Sequence, residues 1–136
     1  MSNPVSPFLI SLKHNQDSKG VLGVIDNRNI PFDIARIFWI HQVPDNTERG
    51  GHAHKTSEQL VICVEGIIDV TMEEITGKTH QFKLLPGSHG LYLPSLCWGY
   101  YNFQDNAIAL CLASDYFKES DYIRSYQEFE KLKACR

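Results

Sequence analysis

The sequence predicts an all-β protein, a two-sheet jelly roll or small barrel, with one helix at its C-terminal end. Short runs rich in β-branched and aromatic residues recur at spacings of roughly ten residues, and glycine, proline, asparagine and aspartate separate them. Helical patterning is confined to the C-terminal segment, so strands and helices do not alternate as they do in a doubly wound parallel sheet. The mouth of such a barrel is the default place for a ligand.

The composition is that of a globular domain. The 136 residues are enough for one hydrophobic core and too few for two ordinary domains, so we expect a single domain over residues 1–136. Hydrophobic residues make up 43% and charged residues 21%, which excludes a disordered chain. The net charge of −3 argues against a general binder of nucleic acid or membrane surfaces, because such proteins are usually basic.

The sequence also predicts a cellular setting. No apolar run approaches the roughly 18–20 residues of a membrane span, and residues 1–7 lack the basic and apolar regions of a signal peptide. None of the four cysteines belongs to a CxxC pair, and Cys63 and Cys111 lie in apolar runs. These features fit a reduced, cytoplasmic protein, with neither a membrane nor a nucleic acid as a partner.

Three strands are predicted in the first part of the chain, over residues 8–12, 21–25 and 35–43. The third of these runs is β-branched and aromatic, which favours a long strand. Loop chemistry at residues 44–48 then leads into a stretch rich in glycine and histidine.

Six more strands are predicted after that stretch, over residues 59–65, 67–72, 79–85, 90–94, 98–103 and 107–113. Gly66 marks a tight connection between the first two, and residues 76–78 form a hairpin turn. Asp105 and Asn106 turn the chain before the last strand.

The C-terminal helix is predicted to begin at Ser120, which has the side chain of a helix N-cap. Tyr122, Tyr126 and Phe129 follow at positions i, i+4 and i+7, so they would share one helical face. We expect that face to pack across one end of the sheet.

Two histidines, His52 and His54, provide the main chemical signal. Side chains at i and i+2 of a strand point to the same face, so both imidazoles would project into the space that the strand lines. Ala53 would point the other way, into packing. Two imidazoles on one concave wall either bind a metal or move protons.

The histidine stretch resembles the first motif of the cupin superfamily, a family of jelly rolls. In that motif His-x-His is followed by an acidic residue and a glycine, here Glu58 or Gln59 and then Gly66. Counting back from the glycine favours Gln59, a poor metal ligand, and Gly99 stands where a second motif supplies another histidine. Zinc or iron sites normally take three or four good ligands. We therefore expect no metal and no cofactor, and acid–base chemistry by the histidine pair.

The stretch from Arg49 to Gln59, RGGHAHKTSEQ, is similar to the signature of the nucleotide-sugar 3,4-ketoisomerases, and residues 90–98, 112–116 and 121–126 resemble other parts of that family. The resemblance implies a homodimer, often with exchanged N-terminal strands. It also implies conversion of a dTDP-linked 4-keto-6-deoxyhexose to the 3-keto sugar, through an enediolate, in the biosynthesis of an unusual deoxysugar. His52 and His54 would transfer the protons, and which is base and which is acid stays open.

Five further residues are candidate substrate contacts. Arg49 and Arg36 carry the guanidinium group that matches phosphate geometry, although a salt bridge or a solvated strand end would also explain them. Trp98 and Tyr101 would stack on thymine or line the sugar pocket, or else pack in the core. Gln59 would hydrogen-bond a sugar hydroxyl or orient a histidine.

Three other functions stay open on the sequence alone. A nucleotide-sugar epimerase of the 3,5 type shares the jelly roll and histidine chemistry, but such enzymes are usually longer and lack the Arg-Gly-x-His-Ala-His-Lys motif. A metal-binding cupin would need a divalent ion for activity. A non-catalytic sugar-binding cupin would bind without turnover.

Overall fold

The computed structural model describes residues 4–87 and 89–135 and contains ten strands and one α-helix in those ranges. The strands are β1 (Phe8–Ser11), β2 (Lys13–Asp17), β3 (Gly20–Val24), β4 (Arg36–Ile40), β5 (Glu48–His54), β6 (Gln59–Glu74), β7 (Thr79–Leu84), β8 (His89–Leu93), β9 (Cys97–Ala113) and β10 (Tyr122–Ile123). The helix, α1, is Tyr126–Ala134.

The two long strands β6 and β9 form the centre of the fold. They pair antiparallel over nearly their whole lengths, from Gln59 opposite Ala113 to Glu74 opposite Cys97. The first half of β6 also pairs with β8, and its second half pairs with β7. In β9 the second half pairs with β4 and the first half with β5. The central pair therefore holds four other strands, β7 and β8 along β6 and β4 and β5 along β9. The prediction of an all-β jelly roll with a single α-helix is confirmed.

Both long strands bend where the sequence predicts turns. Gly66 has φ 79°, and a Cβ there would lie 2.5 Å from the Cα of Ala107 in the facing strand. Asp105 and Asn106 both have φ 56°. The ladder between the strands shifts register around Glu65, as at a β-bulge. The chain continues as strand on each side of these positions, so the predicted separate strands are halves of one bent element.

The core consists of three clusters of buried apolar side chains. The largest includes Val61, Ile68, Val70 and Phe103, with Tyr101 packed against it. A second lies around Leu60, Tyr92 and Leu112, and a third lies under the helix. The members of the third cluster are Ala53, Ile75, Trp98, Ile123 and Phe129.

The C-terminal helix begins later than the sequence predicts. Ser125, not Ser120, is its N-cap, and its hydroxyl accepts a hydrogen bond from the N–H of Glu128. The segment before it adds a short strand to the free edge of β5, with Tyr122 opposite His54. This pairing satisfies backbone groups that would otherwise be left at a sheet edge, and it removes Tyr122 from the predicted helical face.

α1 has nine residues and is too short to cross a membrane. No other helix within residues 4–87 and 89–135 is long and apolar enough to do so.

Candidate active site

A cavity of about 460 Å³ opens between β4, β5, β6, β9 and the C-terminal segment. One part of its wall is apolar and includes Phe38, Val61 and Phe103. The other part is polar. The polar lining residues are Arg49, His52, Gln59, Tyr101, Tyr122 and Arg124. An apolar pocket with a few convergent polar groups is the usual form of a small-molecule site.

The structure brings four of the predicted site residues together in this cavity, namely Arg49, His52, Gln59 and Tyr101. His54 does not line it. It lies directly behind, in a narrow adjoining pocket that also touches Gln59 and Tyr101. His52 is therefore the front histidine, which lines the cavity, and His54 is the back histidine, which lies behind it. The sequence alone does not distinguish the two.

The two imidazoles share one side of β5, as the His-x-His spacing predicts. Their ring centroids are 5.2 Å apart and the rings are nearly perpendicular, at 86°. Ala53 points to the opposite side, is 1% exposed, and packs in the cluster under the helix.

Gly50 and Gly51 explain how the chain reaches this geometry. The pairing of β5 with β9 shifts register between Gly50 and His52, which leaves one extra residue in β5. The two glycines have φ 103° and 75°, a region that other residues rarely adopt. A Cβ on Gly50 would also lie 2.5 Å from the carbonyl oxygen of Gly99. The bulge depends on glycine and sets the direction of the histidines that follow.

His54 is held at both ring nitrogens. Its Nδ1 lies 2.9 Å from Oδ2 of Asp121, and its Nε2 lies 3.2 Å from the amide nitrogen of Gln59. Because that amide nitrogen donates, Nε2 is the acceptor and the ring proton is on Nδ1. Burial lowers the pKa of His54 although the Asp121 carboxylate raises it, so the ring is neutral.

The Asp121 carboxylate is ionised beside it. Burial alone raises the pKa of this group, but hydrogen bonds from Thr56 and His54 lower it below its ordinary value overall. The arrangement is thus a carboxylate paired with a neutral imidazole.

His52 faces the cavity as a neutral base. Burial, followed by the neighbouring His54 and Arg124, lowers the pKa of His52 to about 4. The imidazole is therefore unprotonated at neutral pH and has a lone pair free to accept a proton.

The C-terminal segment supplies two cavity residues that the sequence analysis did not select, Tyr122 and Arg124. The Tyr122 ring centroid lies 4.4 Å from that of His54 and 5.2 Å from that of His52. The Arg124 guanidinium lies 4.2 Å from the Tyr122 ring centroid and is paired with Glu119 through two hydrogen bonds. The i, i+2 spacing of Tyr122 and Arg124 places both on one face of a strand, but the sequence pattern predicts a helix here and so does not reveal this pairing.

Trp98 lies outside the cavity. It is 5% exposed and packs under α1, with its ring centroid 5.4 Å from that of Tyr126 and 5.8 Å from that of Phe129. Alternation along β9 explains this position, because Tyr101 and Phe103 face the cavity whereas Trp98 is on the opposite face.

Arg36 lies beside the cavity and does not line it. Its guanidinium lies over the rings of Phe38 and Phe117, at 5.1 and 5.7 Å from their centroids. Its Nε is buried and has no hydrogen-bond partner among the described residues.

The donor set does not fit a resident metal ion. Nowhere in the described part of the chain do three His, Cys, Asp or Glu side chains converge as metal ligands. Both nitrogens of His54 are engaged, and the residue opposite His52 on β9 is Gly99. Glu58 points elsewhere, since its carboxylate accepts a hydrogen bond from the Tyr92 hydroxyl.

Comparison with known proteins gives one consistent family. Residues 6–134 match the family model "FdtA: WxcM-like, C-terminal". A relative from Aneurinibacillus thermoaerophilus, TDP-4-oxo-6-deoxy-alpha-D-glucose-3,4-oxoisomerase, is 36% identical over 125 residues, which cover 90% of this chain and 89% of that protein.

Solved structures agree with this result. A mutant of the 3,4-ketoisomerase QdtA from Thermoanaerobacterium thermosaccharolyticum, in complex with TDP-4-keto-6-deoxyglucose, is 33% identical with a TM-score of 0.90, covering 96% of this chain and 95% of its own. The TDP-quinovose 3,4-ketoisomerase WlaRB from Campylobacter jejuni is 32% identical with a TM-score of 0.85, covering 92% and 97%. The rmlC epimerase of Mycobacterium tuberculosis, at 16% identity and a TM-score of 0.74 over 85% of this chain and 66% of its own, shares the fold.

Proposed function

This chain belongs to the FdtA, WxcM-like family and is a sugar 3,4-ketoisomerase, and we propose that His52 is the base that starts its reaction. The substrate is a dTDP-linked 4-keto-6-deoxyhexose, the class on which the oxoisomerase relative is named as acting. The observation that carries the proposal is a neutral His52 on the cavity wall, with a second imidazole 5.2 Å behind it. A cavity of about 460 Å³ has room for a sugar ring.

In the proposed reaction His52 takes the proton from C3, which the C4 ketone makes acidic. The C3–H electron pair forms a C3=C4 double bond while the C4 carbonyl becomes an oxyanion, giving an enediolate. The hydroxyl proton of O3 then leaves as the C3 carbonyl forms, O4 is protonated, and C4 accepts a proton. One C–H bond breaks at C3 and one forms at C4, so the isomerisation needs no oxidant or reductant.

His54 supports this step from behind. Its ring centroid lies 5.2 Å from that of His52, and in the proposed reaction it exchanges protons with His52. Because both of its nitrogens are engaged by Asp121 and Gln59, we assign the direct contact with C3 to His52. We propose that the reaction uses neither a metal nor a cofactor.

The remaining polar wall residues bind the substrate. Arg49 and Arg124 carry the guanidinium groups that pair with a diphosphate. Burial raises the pKa of Tyr101 well above its ordinary value, so its hydroxyl stays protonated and donates to a sugar oxygen. The side-chain carbonyl oxygen of Gln59 is free to accept a hydrogen bond from a sugar hydroxyl. Arg36, beside the cavity, is a further candidate for binding the diphosphate.

We propose that the protein is a homodimer with exchanged N-terminal strands. Val21 and Leu22 on β3 and Ile37 and Trp39 on β4 are each more than half exposed, and burial of these apolar side chains against a second copy would stabilise a dimer. Light scattering of the purified protein should give twice the 15.5 kDa chain mass, and a monomeric mass would contradict the proposal.

We also propose a cytoplasmic location in deoxysugar biosynthesis, with the whole reaction carried by one domain over residues 1–136. All four cysteines are free thiols, which fits a reducing compartment.

Proton NMR with dTDP-4-keto-6-deoxyglucose in deuterated water, with EDTA present, tests the function. We expect new 3-keto signals and deuterium at C4, and a matched run in ordinary water gives the configuration at C4. Exchange at C3 and C5 without carbonyl migration would indicate an epimerase. Activity only after a divalent metal is added would contradict the metal-free proposal, and binding without turnover would indicate a sugar-binding module.

A further inference from the structure

Asp121 is a partly buried carboxylate that forms a hydrogen bond with one member of the histidine pair, and it lies in the C-terminal segment rather than in the histidine motif. Its side chain is 12% exposed. Oδ2 lies 2.9 Å from Nδ1 of His54, and Oδ1 accepts from both the backbone N–H and the hydroxyl of Thr56, at 2.8 and 2.9 Å. Both carboxylate oxygens are therefore committed to β5 and the residues that follow it.

The backbone of Asp121 is fixed in the same way. Its carbonyl oxygen accepts from the N–H of Lys55 at 2.8 Å, and the next two residues pair with β5 as a short strand. Rotation of the carboxylate away from His54 would break its hydrogen bonds with Thr56 as well as the one with the imidazole. This rigidity distinguishes Asp121 from an exposed acidic residue that contacts a histidine by chance.

We propose that Asp121 is a positioning residue that holds His54 in one orientation and as the Nδ1–H tautomer, so that its Nε2 lone pair faces Gln59, a residue of the cavity wall. This inference rests on the proposed function for its effect on turnover, but the tautomer itself is a property of the free protein. Asp121 touches no substrate in this arrangement and acts through His54.

The proposed tautomer matters because imidazole moves protons only through a nitrogen that has the right protonation state. With the proton on Nδ1, the base nitrogen of His54 is Nε2, the one that contacts Gln59. A proton that reaches this nitrogen makes an imidazolium, which the adjacent carboxylate stabilises. Without the carboxylate, both tautomers and other ring orientations become accessible.

The experiment compares Asp121→Asn with Asp115→Asn. The control makes the same chemical change at a carboxylate that also lies next to the Thr56 hydroxyl, at 3.3 Å, but forms no hydrogen bond with His54 among the described residues. Nitrogen-15 NMR of the imidazoles in the free enzyme reports the His54 tautomer, and steady-state kinetics separates kcat from KM. Thermal unfolding checks that each variant is folded.

The wild type and Asp115→Asn should show Nδ1–H for His54 and full turnover. Asp121→Asn should shift His54 to Nε2–H or to a mixture, lower kcat by roughly 100-fold or more, and leave KM within about threefold. Thr56→Val, which removes one hydrogen bond to Asp121 and keeps the carboxylate, should give a smaller loss of kcat and keeps the test decisive if the asparagine variant does not fold.

Two results would overturn the proposal, namely a mixed His54 tautomer in the wild type or wild-type kcat in a folded Asp121→Asn variant. If instead the wild type has no activity on the sugar nucleotide, the proposed function fails. The NMR comparison of wild type and Asp121→Asn still decides whether Asp121 sets the tautomer.

Discussion

Tyr122 lies directly opposite His54 in the pairing of β10 with β5, and their ring centroids are 4.4 Å apart. The same two-residue strand buries Ile123 completely under the helix. The C-terminal segment therefore closes the back of the site, and it brings Asp121, Tyr122 and Arg124 to a histidine motif far away in the chain.

Replacement of the front histidine should remove the base without removing the pocket. His52→Asn should lower kcat by roughly 10²- to 10⁴-fold, the usual contribution of a general base, while KM changes little because the amide keeps most of the side-chain volume. Steady-state kinetics measures both constants. His41→Asn, at an exposed position outside the cavity lining, is the matched control. Equal activity of the two variants would contradict the role of His52.

The arginine delivered by the C-terminal segment should act on binding. Arg124→Gln should weaken binding of TDP and raise KM by roughly 10- to 100-fold, because a charge-assisted hydrogen bond contributes about 1.5–3 kcal/mol. Isothermal titration calorimetry with TDP measures the change. Arg28→Gln serves as the control, since Arg28 pairs with Asp26 in an exposed turn. If both variants bind TDP as the wild type does, Arg124 is not a diphosphate ligand.

The pH dependence of kcat/KM should show the lowered pKa of His52. A base works only when it is unprotonated, so activity falls as the pH drops through the pKa that His52 has in the folded protein. Burial lowers that pKa to about 4, so kcat/KM should stay level through pH 6.5, the ordinary value for histidine, and decline only near pH 4–5. A decline centred near pH 6.5 would contradict this environment for His52.

The lowered pKa of His52 should also make the folded protein less stable at acidic pH. Between about pH 6.5 and 4 the unfolded chain protonates this histidine and the folded protein does not, so stability falls as the pH is lowered through that window. His52→Asn should flatten the dependence of the unfolding temperature on pH in that range. An unchanged slope in the variant would mean that His52 is not the group responsible.

The bulge before the histidines should depend on glycine for two reasons. Gly50→Ala adds a methyl group 2.5 Å from a backbone oxygen at φ 103°, so it should destabilise the protein by more than the roughly 1–3 kcal/mol of backbone strain alone and lower kcat as well. Gly77→Ala is the control, because Gly77 has φ 92° and nothing lies within 4 Å of the new Cβ, so this variant measures the backbone strain without a steric clash. Urea unfolding of both variants gives the difference, and equal losses would argue against a clash at Gly50.

Local patterns were enough for much of the fold. Alternation and turn chemistry located most of the strands, and Gly66 and the Asp105–Asn106 pair marked the places where the long strands bend. β2, Lys13–Asp17, was missed because it is polar and exposed along its whole length, so it has no hydrophobic pattern. The helix start was placed too early because both Ser120 and Ser125 have the side chain of an N-cap, and only tertiary pairing distinguishes them.

The sequence by itself determined that His52 and His54 share one face, because the direction of side chains two residues apart is a local property of a strand. It also determined that Ala53 points into packing. Only the tertiary structure decided that His52 faces the cavity while His54 lies behind it, and that Trp98 lies under the helix. It also decided that Asp121 binds a histidine 67 residues away in the chain. Contacts of that kind depend on which strand edge the C-terminal segment pairs with, and the register of that pairing is set by burial of Ile123 and Phe129 rather than by any local motif.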